Sequence, residues 1–222
     1  QSIINSILQE GIITKSTGSW YDVRLGDGST VSCRIGGKFR QEDKRLTNPI
    51  AVGDRVRILT EVDDEGTGVI REILPRENFV VRQSPRKKHS LHLIASNIDQ
   101  AIIVMTIAQP KLKQGFIDRF LLMTEPFNIP TIVAFNKVDV YKEKDIDMLA
   151  YLQDVYEEIG YSTLILSAVE GHGLDEFKEL LKGKTTLISG QSGVGKSTLI
   201  NAIAPDLDLR TGDISDYSGK GQ

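Results

Sequence analysis

Gly190-Gln191-Ser192-Gly193-Val194-Gly195-Lys196-Ser197 sets glycines, a lysine and a hydroxyl at the spacing G-x-x-x-x-G-K-[ST]. Each residue type has a task in holding a string of phosphates. Glycines let the backbone curl until successive N–H groups point inward at anionic oxygens. A helix beginning at the end of the loop adds the partial positive charge of its N-terminus. Lys196 supplies a point charge for the β- and γ-phosphates of a nucleotide, and the Ser197 hydroxyl can ligate Mg²⁺. Residues 185–188 before the loop read as a strand, and 198–204 after it, beginning at Thr198, read as a helix. That context separates a site from a chance match, because a Gly-rich turn that binds nothing needs none of it.

A phosphate loop alone does not separate one purine from another. Asn136-Lys137-Val138-Asp139 can, because it follows directly on the apolar run 131–135. Ligands in open α/β sheets bind at that end of a strand. A carboxylate there accepts two hydrogen bonds from guanine N1–H and its 2-amino group. Adenine lacks that donor pair and would leave the carboxylate unsatisfied. Asn136 can donate to the acceptor edge of the base, and the Lys137 stem can lie along the ring. Alone, such a motif is often just a polar turn; beside a phosphate loop it specifies guanine. Ser167-Ala168, after the strand-like residues 163–166, can present a backbone N–H to guanine O6. Two residues carry little information, and their place between the other two motifs is what raises them.

The elements needed to position these residues are legible. Residues 102–105 and 131–135 are short apolar runs of the kind found in strands buried on both faces. Phe116, Phe120 and Met123 have helical spacing within 115–124, as do Met148, Leu152, Val155 and Ile159 within 145–159. Alternating strand and helix predicts a doubly wound α/β domain. Residues 1–81 differ. Segments 11–17, 20–25, 30–35, 54–60, 68–74 and 79–81 are β-rich and broken by turns such as Asp27-Gly28 and Asp63-Asp64-Glu65-Gly66. About five short strands without a long helix predict a small β-barrel of the OB-fold type, with a β-sandwich fragment as the alternative. The expected division is 1–81 barrel, 82–90 basic linker (including Arg86, Lys87 and Lys88) and 91–222 nucleotide domain.

Bulk properties narrow the class. The 222 residues are 40% hydrophobic and 26% charged, ordinary for a globular protein. No apolar run approaches the length of a membrane span, so no membrane partner is expected. Cys33 is the single cysteine, which excludes an internal disulfide and points to the cytoplasm. The start, Gln1-Ser2-Ile3-Ile4, lacks signal-peptide features and an initiator Met, so a trimmed start is expected. The net charge of −3 divides unevenly: residues 1–90 carry 15 Lys/Arg against 12 Asp/Glu, and residues 91–222 carry 12 against 18.

The motifs stand in an unusual order: base-reading motif, then Ser167-Ala168, then phosphate loop. In Ras-like proteins the phosphate loop comes first. Joining the old termini and reopening the chain elsewhere builds the same site, because domain termini often lie close together. In this order, and with Gly36-Gly37-Lys38-Phe39-Arg40, Val52-Gly53-Asp54-Arg55-Val56 and Ala95-Ser96-Asn97-Ile98-Asp99-Gln100, the sequence resembles the circularly permuted, ribosome small-subunit-dependent GTPase A family of bacteria. Leu209-Arg210-Thr211-Gly212-Asp213-Ile214-Ser215 is similar to the family's approach to switch I. The resemblance implies GTP hydrolysis to GDP, with Mg²⁺, stimulated by the small ribosomal subunit during its late maturation. A monomer is the expected state. The resemblance also implies that switch I continues past Lys220-Gly221-Gln222, followed by a D-x-x-G switch II and a domain that binds Zn²⁺, none of which this sequence contains. Asp63-Asp64-Glu65-Gly66 fits D-x-x-G but reads as a barrel turn.

Arg34, Lys38, Arg40, Lys44 and Arg45 cluster around a predicted barrel loop, with Trp20, Tyr21 and Phe39 near in sequence. OB-folds bind nucleic acid with basic grooves and aromatic platforms. Trp20 and Tyr21 are expected in the barrel core, and the basic loop is expected to contact RNA. Arg86-Lys87-Lys88 fits a phosphate contact and a soluble linker equally. His89, His92 and His172 lack metal-ligand spacing and read as surface residues. Three rivals remain: a permuted GTPase with another partner, separable by co-sedimentation with each subunit; a P-loop kinase or ATPase, separable by nucleotide competition; and an RNA-binding module with a vestigial site, disfavoured by Lys196 and Asp139.

Overall fold

A computed structural model describes residues 8–36, 46–60, 66–84 and 88–206. Lys38, Phe39, Arg40, Lys44, Arg45, Asp63, Asp64, Glu65, Arg86 and Lys87, and the segments 209–215 and 220–222, lie outside the described residues. Backbone contacts divide the described residues into one unit up to Asn97 and a second from Ile98.

In the first unit, β1 (Gln9–Ser16), β2 (Tyr21–Leu25), β3 (Thr30–Ile35), β4 (Arg55–Thr60) and β5 (Thr67–Ile73) close in the order β1-β2-β3-β5-β4. β1 pairs with both β2 and β4, so the sheet has no free edge and is a barrel rather than a sandwich. The β3–β5 pair is parallel and the rest antiparallel. Alternate residues face inward, and Ile13, Tyr21, Val23, Val31, Cys33, Ile50, Val56, Ile58 and Ile70 fill the interior. Tyr21 joins this core as expected, but Trp20 does not: it is 41% exposed. Tyr21 and Val23 share the inward face of β2, while Trp20 precedes the strand, in a turn where its carbonyl accepts from Thr17 N–H at 2.9 Å.

β6 (Phe79–Gln83) pairs antiparallel with β7 (Leu91–Ser96). Arg82 and Gln83, read from sequence as the start of a linker, therefore lie in a strand. β7 was not legible as a separate strand. This hairpin is joined to the segment before β4 around Asp54, whose carboxylate is fully buried. Arg76 holds it with two bonds, Nε–Oδ1 at 2.7 Å and Nη2–Oδ2 at 2.8 Å. Ser96 Oγ donates to Oδ1, and Ala51 N–H donates to Oδ2 at 2.9 Å. Removing one partner of a buried pair leaves the other charge uncompensated. Asp54→Ala is therefore expected to destabilise the protein by about 3 kcal/mol in denaturant unfolding. A loss below about 1 kcal/mol, as for a surface pair, would show that this carboxylate does not anchor the hairpin.

In the second unit, β8 (Gln100–Met105), β9 (Thr131–Phe135), β10 (Ser162–Ile165) and β11 (Thr186–Gly190) form a parallel sheet in the order β10-β9-β8-β11. Helices α1 (Gln114–Thr124), α2 (Glu143–Ile159), α3 (Leu174–Leu181) and α4 (Lys196–Ile203) connect and follow these strands. Ile102, Val104, Ile132 and Ala134 pack one face of the sheet against Phe177 and Leu181 of α3 and Leu199 and Ile203 of α4. Ile103, Met105, Val133 and Phe135 alternate with them and are also fully buried. α1 forms where expected and packs on β8 and β9, burying Phe116 and Phe120.

α2 forms where expected but turns a different stripe inward. Asp145, Leu149, Leu152 and Tyr156 are buried, while Met148 and Ile159 are 45% and 65% exposed. The two stripes share Leu152, and their centres lie about 60° apart around the helix. Burying Leu149 and the ring of Tyr156 removes more apolar area from water than Met148 and Val155 would. α3 was missed, although Leu174, Phe177 and Leu181 have the i, i+3, i+7 spacing of a helix face.

Candidate nucleotide-binding site

Because the four strands of the second unit are parallel, their carboxyl ends lie along one edge of the sheet. β9 ends at Phe135 and hands directly to Asn136; β10 leads through Leu166 to Ser167; β11 runs into the loop beginning at Gly190. The three motifs, scattered over 62 positions from 136 to 197, thus arrive together.

Side chains then cross-link them. Asn136, 1% exposed, donates from Nδ2 to the carbonyl of Val194 at 2.9 Å. Lys137 Nζ donates to the carbonyls of Gly193 at 2.6 Å and Gln109 at 3.1 Å. Ser167 Oγ, fully buried, donates to Asp139 Oδ1 at 2.7 Å and accepts from Glu170 N–H at 3.1 Å. Asn136 and Lys137 therefore hold the phosphate loop by its own carbonyls, which leaves its N–H groups to face elsewhere. Ser167 engages one oxygen of Asp139.

The glycines of the loop answer to close approaches. Gly195 has φ +88°, and a Cβ there would stand 2.6 Å from Asn136 Nδ2. A Cβ on Gly190 would meet the Val104 carbonyl at 2.7 Å. Any side chain at either position pushes the loop off the strands that carry it. Val194, 1% exposed, plugs the core between them, and Ser192, Gly193, Ser197 and Thr198 face outward. Lys196 and Ser197 open α4, immediately after the Gly195 cap.

The segment after β8 also belongs to the site. Gln109 supplies a carbonyl to Lys137, Thr106 Oγ1 donates to the Pro110 carbonyl at 2.5 Å, and Ile107 N–H donates to the hydroxyl of Tyr141 at 3.1 Å. Backbone carbonyls and N–H groups belong to every residue type, so no composition signal could have marked them. Of the three histidines, His89 and His172 are exposed as expected; His92 is half-buried, with Nδ1 3.0 Å from Thr47 Oγ1. Among the described residues, no three His, Cys, Asp or Glu side chains gather as a metal centre, and no helix is long and apolar enough to cross a membrane.

The phosphate-loop motif is thus held by its carbonyls, and the Asp139 carboxylate by a serine, at one edge of the sheet. Asn136 Oδ1 is buried and has no hydrogen-bond partner. The profile of the RsgA GTPase family matches residues 73–222, and that of the RsgA N-terminal domain matches 10–70. The chain belongs to the RsgA GTPase family. As a member it is a circularly permuted GTPase, and its substrate is GTP.

Among RsgA relatives, the chain is 46% identical over 212 residues to the small ribosomal subunit biogenesis GTPase RsgA of Bacteroides fragilis, covering 96% of this chain and 68% of that protein. It is 48% identical over 213 residues to the protein of the same name from Flavobacterium psychrophilum, covering 96% and 65%. Two solved structures have the same fold. YjeQ from Thermotoga maritima superposes with a TM-score of 0.74 at 32% identity, over 96% of this chain and 73% of that one. YloQ, described as a circularly permuted GTPase, superposes with 0.69 at 30% identity, over 93% and 68%. The RsgA N-terminal match falls on the barrel strands β1 to β5, and the RsgA GTPase match includes all three motifs.

Proposed function

We propose that this RsgA-family GTPase binds the small ribosomal subunit in the cytoplasm and hydrolyses GTP during late maturation of that subunit. The observation that carries the enzymatic half is the joining of Asn136 to Val194 and Asp139 to Ser167, residues 58 and 28 positions apart, at one sheet edge. The relatives' designation as small ribosomal subunit biogenesis GTPases supports the ribosomal half.

In this reading Asn136, Lys137, Val138 and Asp139 bind guanine together with Ser167 and Ala168. The loop from Gly190 through Gln191, Ser192, Gly193, Val194 and Gly195 to Lys196, Ser197 and Thr198 binds the phosphates. The catalytic part of Lys196 is to stabilise charge on the phosphates, and that of Ser197 is to ligate Mg²⁺. One hydroxyl does not make a resident metal site, which fits an ion that arrives bound to the nucleotide phosphates. The ion supplies further neutralisation of that charge.

The barrel is proposed as the ribosomal RNA contact, on the sequence cluster of Arg34, Lys38, Arg40, Lys44 and Arg45. Trp20, exposed rather than buried, is available to it as a stacking surface. Charge reversal at Lys38, Arg40 and Arg45 is expected to weaken co-sedimentation with small subunits and to lower the slope of log affinity against log salt by about 2–3. GDP affinity of the free protein is expected to stay unchanged. Full subunit binding by this triple variant would move the docking surface off the barrel.

A further inference from the structure

Lys137 occupies the left-handed region, at φ 64°. That conformation is unfavourable for a residue with a Cβ, and the surrounding contacts must hold it. The peptide in question joins Asn136 to Lys137, the first two residues of the base-reading motif. Its carbonyl, on Asn136, accepts a hydrogen bond from the hydroxyl of Tyr141 at 2.7 Å. The same hydroxyl accepts from Ile107 N–H at 3.1 Å.

Tyr141 follows the short 3₁₀ turn Val138–Val140, and its own N–H donates to the Val138 carbonyl at 3.1 Å. Its side chain thus reaches back across that turn to where the motif began. At the other end Asn136 N–H donates to the Met105 carbonyl at 2.7 Å, so the residue is held at its N–H, its carbonyl and its Nδ2. The phenol is a two-ended clamp: it ties the base-reading turn to the segment after β8. Burial pushes the Tyr141 hydroxyl up to about 12, so it keeps the proton it donates throughout the neutral range.

We propose that Tyr141 is a positioning residue for guanine specificity: its hydroxyl fixes the Asn136–Lys137 peptide and so sets the separation of Asn136 and Asp139 around the base. This rests on the reading of Asp139 as the group that binds guanine N1–H and the 2-amino group. A carboxylate making two hydrogen bonds to one rigid edge tolerates little rotation, whereas one making a single bond tolerates more. Loss of the clamp therefore costs guanine more than hypoxanthine, which lacks the 2-amino group.

The test is equilibrium titration of the full protein and of Tyr141→Phe with GDP and with inosine diphosphate, alongside thermal unfolding of both without nucleotide. Phenylalanine keeps the ring and removes only the hydroxyl. GDP affinity is expected to fall roughly tenfold, the effect of one lost hydrogen bond with a buried partner left unpaired. Inosine diphosphate is expected to lose less, so the ratio of the two affinities shrinks by about threefold or more. Equal losses for both nucleotides would assign Tyr141 a structural role only and overturn the proposal, as would no loss for either. If the unsubstituted protein fails to prefer GDP over inosine diphosphate, the base-reading assignment of Asp139 fails first, a result visible without the variant.

Discussion

Asp139→Asn is expected to lower GDP and GTP affinity on the order of a thousandfold and to raise affinity for xanthosine nucleotides. Ser167 Oγ donates to Asp139 Oδ1 at 2.7 Å, so an asparagine placed there keeps its carbonyl oxygen toward Ser167. Its NH₂ then faces the base. Guanine would present donors to a donor, while xanthine presents a carbonyl at the same position. The lost interactions are charge-assisted, worth about 1.5–3 kcal/mol each, which places the effect well above that of an ordinary surface change. Titration with GDP and xanthosine diphosphate measures the exchange. Unaltered guanine selectivity in the variant would remove Asp139 from the base site.

The second large effect is expected at the phosphates. Lys196→Ala and Ser197→Ala, each in the complete protein, are expected to lower Mg²⁺-dependent GTP turnover by about 10²–10³-fold or more. Phosphoryl transfer gives the protein little covalent chemistry to perform. Catalysis consists of holding the phosphates still and neutralising charge as it spreads over their oxygens. Both residues stand in the first turn of α4, where the helix N-terminus acts in the same direction. The residues proposed to recognise guanine follow other strands, so discrimination between GDP and inosine diphosphate should survive in both variants while single-turnover hydrolysis does not. Wild-type turnover in both would refute the assignment of this loop to catalysis.

Much of this site was legible because the phosphate loop is a local object. Its eight residues are consecutive, and the backbone curl they need is a property of glycine itself. Strands buried on both faces also announce themselves, so β9 has the bounds read from the apolar run 131–135. The barrel was legible for the same reason: a period of two between turn residues reports a half-buried strand, and β3 likewise matches the expected 30–35.

Where several apolar stripes compete, sequence alone chose wrongly. On α2 the pattern Met148, Leu152, Val155, Ile159 is as periodic as the buried one, and only packing against the sheet selects Leu149 and Tyr156. Trp20 and Tyr21 are adjacent aromatics of similar propensity, and the first residue of β2 decides which of them faces in. Residues 82–90 read as a linker because Pro and basic residues cluster there, yet Arg82 and Gln83 belong to β6, paired across to Leu91 and His92. Asp54, Arg76 and Ser96 join that hairpin to the segment before β4, and the spacing of these three polar residues carries no signal.

The sequence by itself determined the family chemistry: residue types at fixed short spacing carry the motifs of a permuted GTPase, and their order encodes the permutation. Tertiary structure alone decided how those parts are held. The bonds from Asn136 to Val194, from Lys137 to Gln109 and from Tyr141 to Ile107 join residues 28 to 58 positions apart, two of them through backbone carbonyls and one through a backbone N–H. Every residue has such groups, so their use is set by where the parallel strands end and not by what the residues are.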